Sequence, residues 1–274
     1  VMNNLLKIEW LKLKNYTAFI VMTIFFLVGV FALNYIVYTV NKNIVRNVPG
    51  AGLVSFSPYN FPNTWQSTSY ATGFILVLPA LLLLMLFTNE YSFKTHRQNI
   101  IDGLSRQQFI SIKFVMAFIF ALVATLLVFI SALLFGLASG TSFSFQGIEN
   151  VGYFFLKALS YNLIAILFSV LVKRTGFAIG IFFIYLGAEN IMSQLLNVLS
   201  IKLKNENKID IGNIGDYLPM NAADSLLAFP DNPIKSMSKT IMPTDYTWVV
   251  FILAVVYIVV FYLWSRHKFI NADL

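Results

Sequence analysis

The sequence predicts an all-α membrane protein that crosses the bilayer several times. Of its 274 residues, 58% are hydrophobic and 11% are charged, whereas a typical soluble domain is about 45–50% apolar and about 25% charged. A soluble fold of this size would expose far too much apolar surface to water. The low charge and the 27 Phe and 13 Tyr residues also exclude a disordered chain. Both a soluble enzyme and a disordered protein are therefore excluded.

Six segments have the length and apolar character of membrane-spanning helices, which need about 20 residues each. Pro79 lies inside the second of them, and its missing N–H predicts a kink there. The six predicted spans are residues 16–38, 70–88, 109–137, 151–172, 176–196 and 246–264.

Lys and Arg residues predict that both ends of the chain are cytoplasmic. With this orientation the cytoplasmic connections carry eleven Lys and Arg residues and the outer connections carry seven. After the acidic residues are subtracted, the whole net charge of +7 falls on the cytoplasmic side, as the positive-inside rule expects. The charge is therefore a signal of topology, and we expect no nucleic-acid partner.

The segments outside the spans carry three further expectations. Residues 1–15 mix bulky apolar side chains with three Lys residues, which favours an amphipathic helix on the cytoplasmic leaflet over a helix continuous with the first span. Residues 41–69 and 197–245 are the long outer segments. The apolar run 226–229 is too short to span, and it indicates either a re-entrant or surface-lying helix or an ordered loop.

The cytoplasmic connection between spans two and three has helix signals that a lipid-facing segment does not need. Glu90 and Lys94 have the spacing of a favourable helical ion pair. Gly103 suits a left-handed helix end, and Ser105 with a Gln three residues later forms a capping box for the third span. A short helix over about residues 90–102 follows. It is either a solvated, well-capped connection or a docking helix for a cytoplasmic protein, and these signals favour neither.

Two further patterns lie within the spans. Lys157 and Glu189 are at matching estimated depths in neighbouring spans, and because a buried charge costs about 2.5–3.5 kcal/mol at mid-span, an ion pair between them is one interpretation. The alternative is that Lys157 reaches the outer headgroups and Glu189 already lies in the interface. Gly176 and Gly180 have the spacing that lets two helix backbones pack closely, which favours packing of the fifth span against a neighbouring span over a seam between two copies.

No catalytic or metal site is predicted in this chain. There is no cysteine, so Cys-ligated zinc, iron–sulfur clusters and thiol catalysis are excluded. The sequence also has no Gly-x-x-x-x-Gly-Lys-Ser/Thr phosphate loop, no Gly-x-Ser-x-Gly motif and no His-Glu-x-x-His motif. We therefore expect no cofactor in this chain.

Several of these segments resemble the permease subunit of type-2 ABC exporters. In that family the second span ends in a Glu-Tyr/Arg-x-x-Gly/Lys-Thr pattern, followed by a coupling helix and a Ser-Arg-x-x-Phe/Leu step. The corresponding residues here are Glu90-Tyr91-Ser92-Phe93-Lys94-Thr95 and Ser105-Arg106-Gln107-Gln108-Phe109. The tight Lys173-Arg174-Thr175-Gly176 turn and the Tyr217-Leu218-Pro219-Met220-Asn221 element are also similar. Lys94 departs from the small Gly that many members have.

The resemblance implies a pair of permeases in a bacterial plasma membrane, driven by two separate ATP-binding cassette subunits that bind ATP and Mg. It implies docking of those ATPases on the coupling helix and export of an amphipathic or hydrophobic cargo. The rival functions are a non-transporting anchor or sensor coupled to an ATPase, and a stand-alone secondary transporter. The residues implied in ATPase docking are Glu90, Tyr91, Lys94, Arg97, Asp102 and Arg106.

Overall fold

The computed structural model describes residues 2–47, 57–61, 63–230 and 242–272. These residues form ten α-helices and one 3-10 turn, and no β-strand is found among them. The helices are α1 (Met2–Lys14), α2 (Thr17–Asn47), α3 (Asn63–Gly73), α4 (Val77–Ser92), α5 (Thr95–Ile101), α6 (Arg106–Ala138), α7 (Glu149–Val172), α8 (Thr175–Asn207), α9 (Asn221–Ser225) and α10 (Thr247–Ile270).

Five single helices are long and apolar enough to cross a membrane, namely α2, α6, α7, α8 and α10. The pair α3 and α4 would make a sixth crossing if it is counted as one span, because both helices pass the same test together. The predicted all-α, multi-span fold class is therefore confirmed, with five or six candidate spans in the described residues.

The kink predicted in the second span, residues 70–88, is found as a break between α3 and α4, and the helices begin and end at other residues than predicted. The chain forms two helices that meet at an angle of 43°. The N–H of Leu78 bonds to the carbonyl of Ile75 at 3.0 Å, three residues back, and Pro79 has no N–H to make the four-residue bond to the same carbonyl. The bend therefore precedes Pro79, which lies in the first turn of α4.

Helices extend into both long outer segments. α2 continues to Asn47, α3 begins at Asn63, and α8 continues to Asn207, so residues 41–69 and 197–245 are partly helical rather than loops throughout. The positions 48–56, 62 and 231–241 lie outside the described residues.

Helix α7 is the centre of the bundle. It packs against α3, α4, α6, α8 and α10, and 56% of its membrane window is buried, against 17–28% for the other four single spans. Its core side chains include Phe154, Ala158 and Ile164. The peripheral helices bury one stripe each and turn their remaining apolar side chains outward, as a lipid-facing helix does.

Helix α1 is separate from the first span. It ends at Lys14, and α2 begins at Thr17 after a turn in which the N–H of Tyr16 bonds to the carbonyl of Leu13 at 2.9 Å. The alternative of one continuous helix is therefore wrong. That α1 lies in the membrane interface stays a prediction.

The outer segment after α8 is folded against the bundle. A 3-10 turn (Ile214–Tyr217) leads into α9, which packs between α7, α8 and α10 with Ala222 and Ala223 fully buried. The apolar run 226–229 follows α9 without regular secondary structure of its own, and whether this segment is re-entrant or lies at the membrane surface stays a prediction.

Hydrogen bonds close the base of this outer segment. Asp210 accepts from the Thr244 hydroxyl at 2.6 Å and from the Thr244 N–H at 3.1 Å, and it pairs with Lys204 at 3.3 Å. The bonds from Thr244 hold the pKa of Asp210 well below its usual range. The residues after α8 are thus fixed to those before α10.

Candidate functional site

The chain between α4 and α6 forms a sharply bent, well-capped elbow, which we define as residues 93–105. Lys94 takes the left-handed conformation with φ +56° and starts α5. At the other end, Gly103 has φ +101°, and the N–H groups of Gly103 and Leu104 bond to the carbonyls of Ile100 and Asn99. This is the Schellman arrangement that ends a helix.

The capping box at the start of α6 is confirmed. Ser105 accepts a hydrogen bond from the N–H of Gln108 at 3.2 Å, and the Gln108 side chain accepts from the N–H of Ser105 at 3.0 Å. Helix α6 begins at Arg106, directly after this cap. Both ends of the elbow are therefore fixed by local hydrogen bonds.

Two large apolar side chains stand out on the surface of the elbow. Phe93 is 76% exposed and Ile101 is 78% exposed, more than any other large hydrophobic side chain among the described residues. Lys94, Arg97 and Asp102 are exposed around them. Because large apolar groups exposed within a polar rim are typical of protein contact sites, this surface has the composition of a docking site.

Glu90 belongs to a buried ion cluster instead of the exposed surface. Its Oε1 lies 2.8 Å from the ammonium groups of both Lys12 and Lys113. Glu9 completes the cluster, because its two carboxylate oxygens lie 2.8 Å from the same two lysines. Two carboxylates and two ammonium groups balance, so the cluster joins α1, α4 and α6 without net charge.

The predicted ion pair between Glu90 and Lys94 is wrong, since the left-handed turn directs the chain away at Lys94.

The pKa of Glu9 shows the same balance. Burial, the largest single influence, opposes ionisation of the carboxyl, but the charges of Lys113 and Lys12 outweigh it and lower the pKa below 4.5. For Lys12, burial opposes the charged form, and the two carboxylates outweigh it and raise the pKa above 10.5. Both pKa shifts favour the charged form, so Glu9 and Lys12 are ionised at neutral pH.

Tyr91 and Arg106 are also engaged inside the protein. The Tyr91 ring packs on His96 at 4.6 Å, and His96 is held by its Nδ1, 3.0 Å from the Glu90 carbonyl. The Arg106 guanidinium donates to the carbonyls of Ile270 and Ala272 at 2.7 and 2.6 Å. Positive charge at these carbonyls stabilises the C-terminal end of α10.

Aromatic packing adds to this attachment of α10. The ring of Phe269 stacks on Phe109 with centroids 5.1 Å apart, and Phe87 lies 6.0 Å from both rings.

The six residues that the resemblance assigns to docking fall into two groups. Lys94, Arg97 and Asp102 are exposed on the elbow. Glu90, Tyr91 and Arg106 make contacts inside the protein that hold the elbow in place.

The proposed ion pair between Lys157 and Glu189 is not formed. Lys157 pairs with Asp224 of α9 at 3.2 Å, and Tyr161 donates a hydrogen bond to the same carboxylate at 3.1 Å. Glu189 instead accepts from the N–H groups of Met220 and Asn221 at the start of α9. Asp224 lies in the outer segment rather than in a span, so a search for partners within the spans misses it.

The glycines at 176 and 180 do not pack against another helix of this chain. A Cβ added at either position would meet no atom within 4 Å, and the same is true of Gly187. The intrachain packing role predicted for Gly176 and Gly180 is therefore wrong. They leave an open strip on the outer face of α8, with Ile184 and Ile191 exposed beside it.

Sequence reasoning missed the most buried member of the ion cluster and the apolar part of the docking surface. Lys113 lies two turns into α6, and its sequence position indicates only that it is one of the eleven cytoplasmic Lys and Arg residues. Phe93 and Ile101 gave no signal, because nothing in the spacing separates them from core residues. Among the described residues, no three His, Asp or Glu side chains are grouped as metal ligands.

Comparison with known proteins identifies one family. The family model described as ABC-2 family transporter protein matches residues 5–189, more than half of the chain. The match covers α1 to the first half of α8, and so includes the elbow and the whole ion cluster. None of the curated proteins compared with the chain matches it significantly.

Proposed function

The chain belongs to the ABC-2 transporter family, and from that premise we propose that it is the permease subunit of an ATP-driven exporter. Family and fold make it a membrane transport component with several spanning helices. The proposal adds that a separate ATP-binding cassette subunit docks on the elbow, binds ATP and Mg, and drives transport. The sequence of this chain has no phosphate loop of its own.

The observation that carries the proposal is the exposed apolar surface of the elbow. Phe93 and Ile101 lie at opposite ends of α5 with Lys94, Arg97 and Asp102 around them. Apolar anchors within a charged rim supply affinity at the centre of an interface and specificity at its edge. In the proposed orientation this surface faces the cytoplasm, where an ATPase operates.

The contacts behind the elbow support a role in transmitting motion from the docked ATPase to the helices of the bundle. Glu90 ties the end of α4 to α1 and α6 through Lys12 and Lys113, and Arg106 ties the start of α6 to the end of α10. A displacement of the elbow is therefore carried to four helices at once. Such packed, hydrogen-bonded elements move as rigid bodies rather than deforming.

A second permease forms the other wall of the proposed transport path. The open strip of Gly176, Gly180 and Gly187 on α8 supports this dimer, because small residues allow a close approach of helices within lipid. The few charges in the spans favour an amphipathic or hydrophobic cargo over an ion.

Cysteine cross-linking tests the permease dimer. Under a thiol oxidant, Gly180→Cys and Ile184→Cys should each cross-link two copies of the chain, or this chain and a paralogue that carries a cysteine at the matching position. Ile119→Cys on α6 should not.

Co-purification tests ATPase docking. The chain is expressed with a candidate ATP-binding cassette subunit, and the ATPase retained after affinity purification is measured for the wild type, Phe93→Asp and Ile101→Asp. We expect each substitution to remove at least about nine-tenths of the bound ATPase, as loss of a central apolar contact does. Gln107→Asp, on an exposed neighbouring position, is the matched control and should leave binding unchanged.

Three outcomes separate the candidate functions. Equal retention by all variants would remove the elbow as the docking site. Elbow-dependent ATPase binding without ATP-dependent release of any cargo from vesicles would indicate an anchor or sensor. Solute movement by the purified chain alone would indicate a secondary transporter.

A further inference from the structure

A cavity of about 610 Å³ lies beneath α1, apart from the elbow and the outer segment. Its walls come from α1, α2, α4 and α6, and it is partly open at the side of the bundle. The volume is within the range of about 300–1,000 Å³ that holds small ligands in proteins. Its lining includes Leu6, Trp10, Leu13, Phe19, Pro79 and Phe120.

The residues that line the cavity favour a hydrocarbon ligand. Of the seventeen residues around the cavity, only Glu9, Trp10 and Thr23 carry polar groups. The Glu9 carboxylate is already bound by Lys12 and Lys113 at 2.8 Å, so it offers no free charge to a ligand. An apolar cavity does not fill with water, whereas a hydrocarbon chain finds there the same environment as the bilayer interior.

Two exposed lysines of α1, the helix that covers the cavity, favour an anionic headgroup. Lys7 and Lys14 are exposed and, among the described residues, neither makes an ion pair. Seven residues separate them, so that they project from the same face of α1, next to the face that carries Trp10. Trp10 is 58% exposed and contacts Phe19 edge-on at 6.3 Å, which places an aromatic ring between the lysines and the cavity.

We propose that this cavity is a binding site for one anionic phospholipid of the cytoplasmic leaflet. An acyl chain fills the apolar space between α1, α2, α4 and α6, and Lys7 and Lys14 bind the phosphate of the headgroup. The lipid thereby fixes α1 over the bundle, next to the ion cluster that joins α1 to the end of α4. The inference uses the proposed orientation of the chain but not its transport activity.

Quenching of Trp10 fluorescence tests the site without ATPase or cargo. The full chain is reconstituted in phosphatidylcholine vesicles that contain brominated phosphatidylglycerol or, in a parallel series, brominated phosphatidylcholine. The Trp10 contribution is the difference between the wild type and Trp10→Phe. We expect the brominated phosphatidylglycerol to quench Trp10 at a lower mole fraction than the brominated phosphatidylcholine.

Two sets of variants locate the acyl chain and the headgroup. Thr23→Phe with Val123→Phe fills the cavity and should abolish the quenching, whereas Ile24→Phe, on the same helix but outside the lining, should not. Lys7→Glu with Lys14→Glu should remove the headgroup preference, about fivefold for each lysine. Lys268→Glu, an exposed charge on α10, is the control.

Several results would overturn the proposal. Equal quenching by both lipids, unaffected by the filled cavity, would mean that Trp10 meets only bulk lipid. Native mass spectrometry provides a second readout, since one phosphatidylglycerol should stay with the wild type and be lost from the filled variant. Retention by both would place that lipid elsewhere. Circular dichroism confirms that each variant retains its helices.

Discussion

Lys113 is the residue on which the connection between elbow and bundle depends most. Its side chain is 3% exposed and its ammonium lies 2.8 Å from both Glu9 and Glu90. The rings of Phe109 and Phe87 lie within 6 Å of the same ammonium. The cost of desolvating a buried ion pair offsets much of its attraction, but removing one partner leaves the other charges uncompensated.

We therefore predict that Lys113→Met destabilises the protein by about 3–5 kcal/mol, because two carboxylates then share Lys12 alone. Thermal unfolding in detergent measures the loss. Lys94→Met, at an exposed position on the elbow, should change stability little. Similar unfolding of both variants would contradict a structural role for the cluster.

The pH dependence of stability follows from Glu9. Its pKa is lowered in the folded protein, so its carboxylate stabilises the fold above about pH 4.5, and that contribution is lost as the pH falls through the lowered pKa. We expect Glu9→Gln to be less stable at neutral pH and to lose less on acidification. Unfolding temperatures between neutral and acidic pH measure this, with Glu206→Gln, which is exposed, as the control. An unchanged acid slope in Glu9→Gln would reject the assignment.

Some residues could be assigned from the sequence and others not, for a physical reason. Ser105 and Gly103 act through neighbours within three or four residues, and local spacing predicts such contacts well. The partner of Lys157 is Asp224, which is brought back by the fold from a segment outside the spans. Local spacing carries no information on such a contact, and an estimated depth shared by Lys157 and Glu189 does not make them partners.

At the scale of the elements, the outer segment depends on the close approach of the 3-10 turn to α8. The N–H of Gly215 bonds to the Asn197 side chain at 2.9 Å. A Cβ at Gly215 would overlap the carbonyl oxygen of Ser193 and lie 2.6 Å from Asn197 Oδ1. Only glycine leaves room for this approach.

Gly215→Ala should therefore destabilise the outer segment by about 1–3 kcal/mol, because backbone must move to accommodate the methyl group. Gly187→Ala is the matched change, since nothing lies within 4 Å of its added Cβ, and it should be neutral or slightly stabilising. Limited proteolysis of residues 208–246 measures the opening. Equal protection of both variants would refute the close contact.

The end of α10 gives a second test at this scale. Arg106→Gln removes the charged donor to the carbonyls of Ile270 and Ala272, and we expect amide exchange over residues 266–272 to accelerate about tenfold. Lys268→Gln changes a nearby exposed charge and should leave exchange unchanged. Hydrogen–deuterium exchange with mass spectrometry distinguishes the two, and an unchanged rate in Arg106→Gln would show that Phe269 alone holds the end.

For the whole molecule, the hydropathy pattern predicted the number of apolar segments well, because a span must satisfy its own backbone and match the bilayer. It missed the first residues of α3, which begins at Asn63 rather than near residue 70, because α3 is polar. Thr64, Ser67 and Thr72 of α3 are fully buried by protein, so this helix needs no apolar surface toward lipid. Hydropathy cannot identify a helix whose neighbours shield it.

The attachment of the outer segment to the bundle is tested by charge exchange. Lys157→Glu and Asp224→Lys should each lower the unfolding temperature, and the double exchange should recover part of the loss because the pair at 3.2 Å is restored with opposite sense. The exchange of Lys157 with Glu189 is the control and should show no recovery. Recovery of the unfolding temperature in the Lys157–Glu189 exchange alone would contradict the Lys157–Asp224 pair and support a pair between Lys157 and Glu189.

The length of α8 has a consequence for detection of the protein in intact cells. Its 33 residues extend about 50 Å, whereas the hydrocarbon layer is about 30 Å thick. In the proposed orientation we expect its final turns, together with the Asp210–Thr244 closure, to extend beyond the outer headgroups as a folded segment. We expect an antibody raised against that segment to label the surface of cells whose plasma membrane is intact.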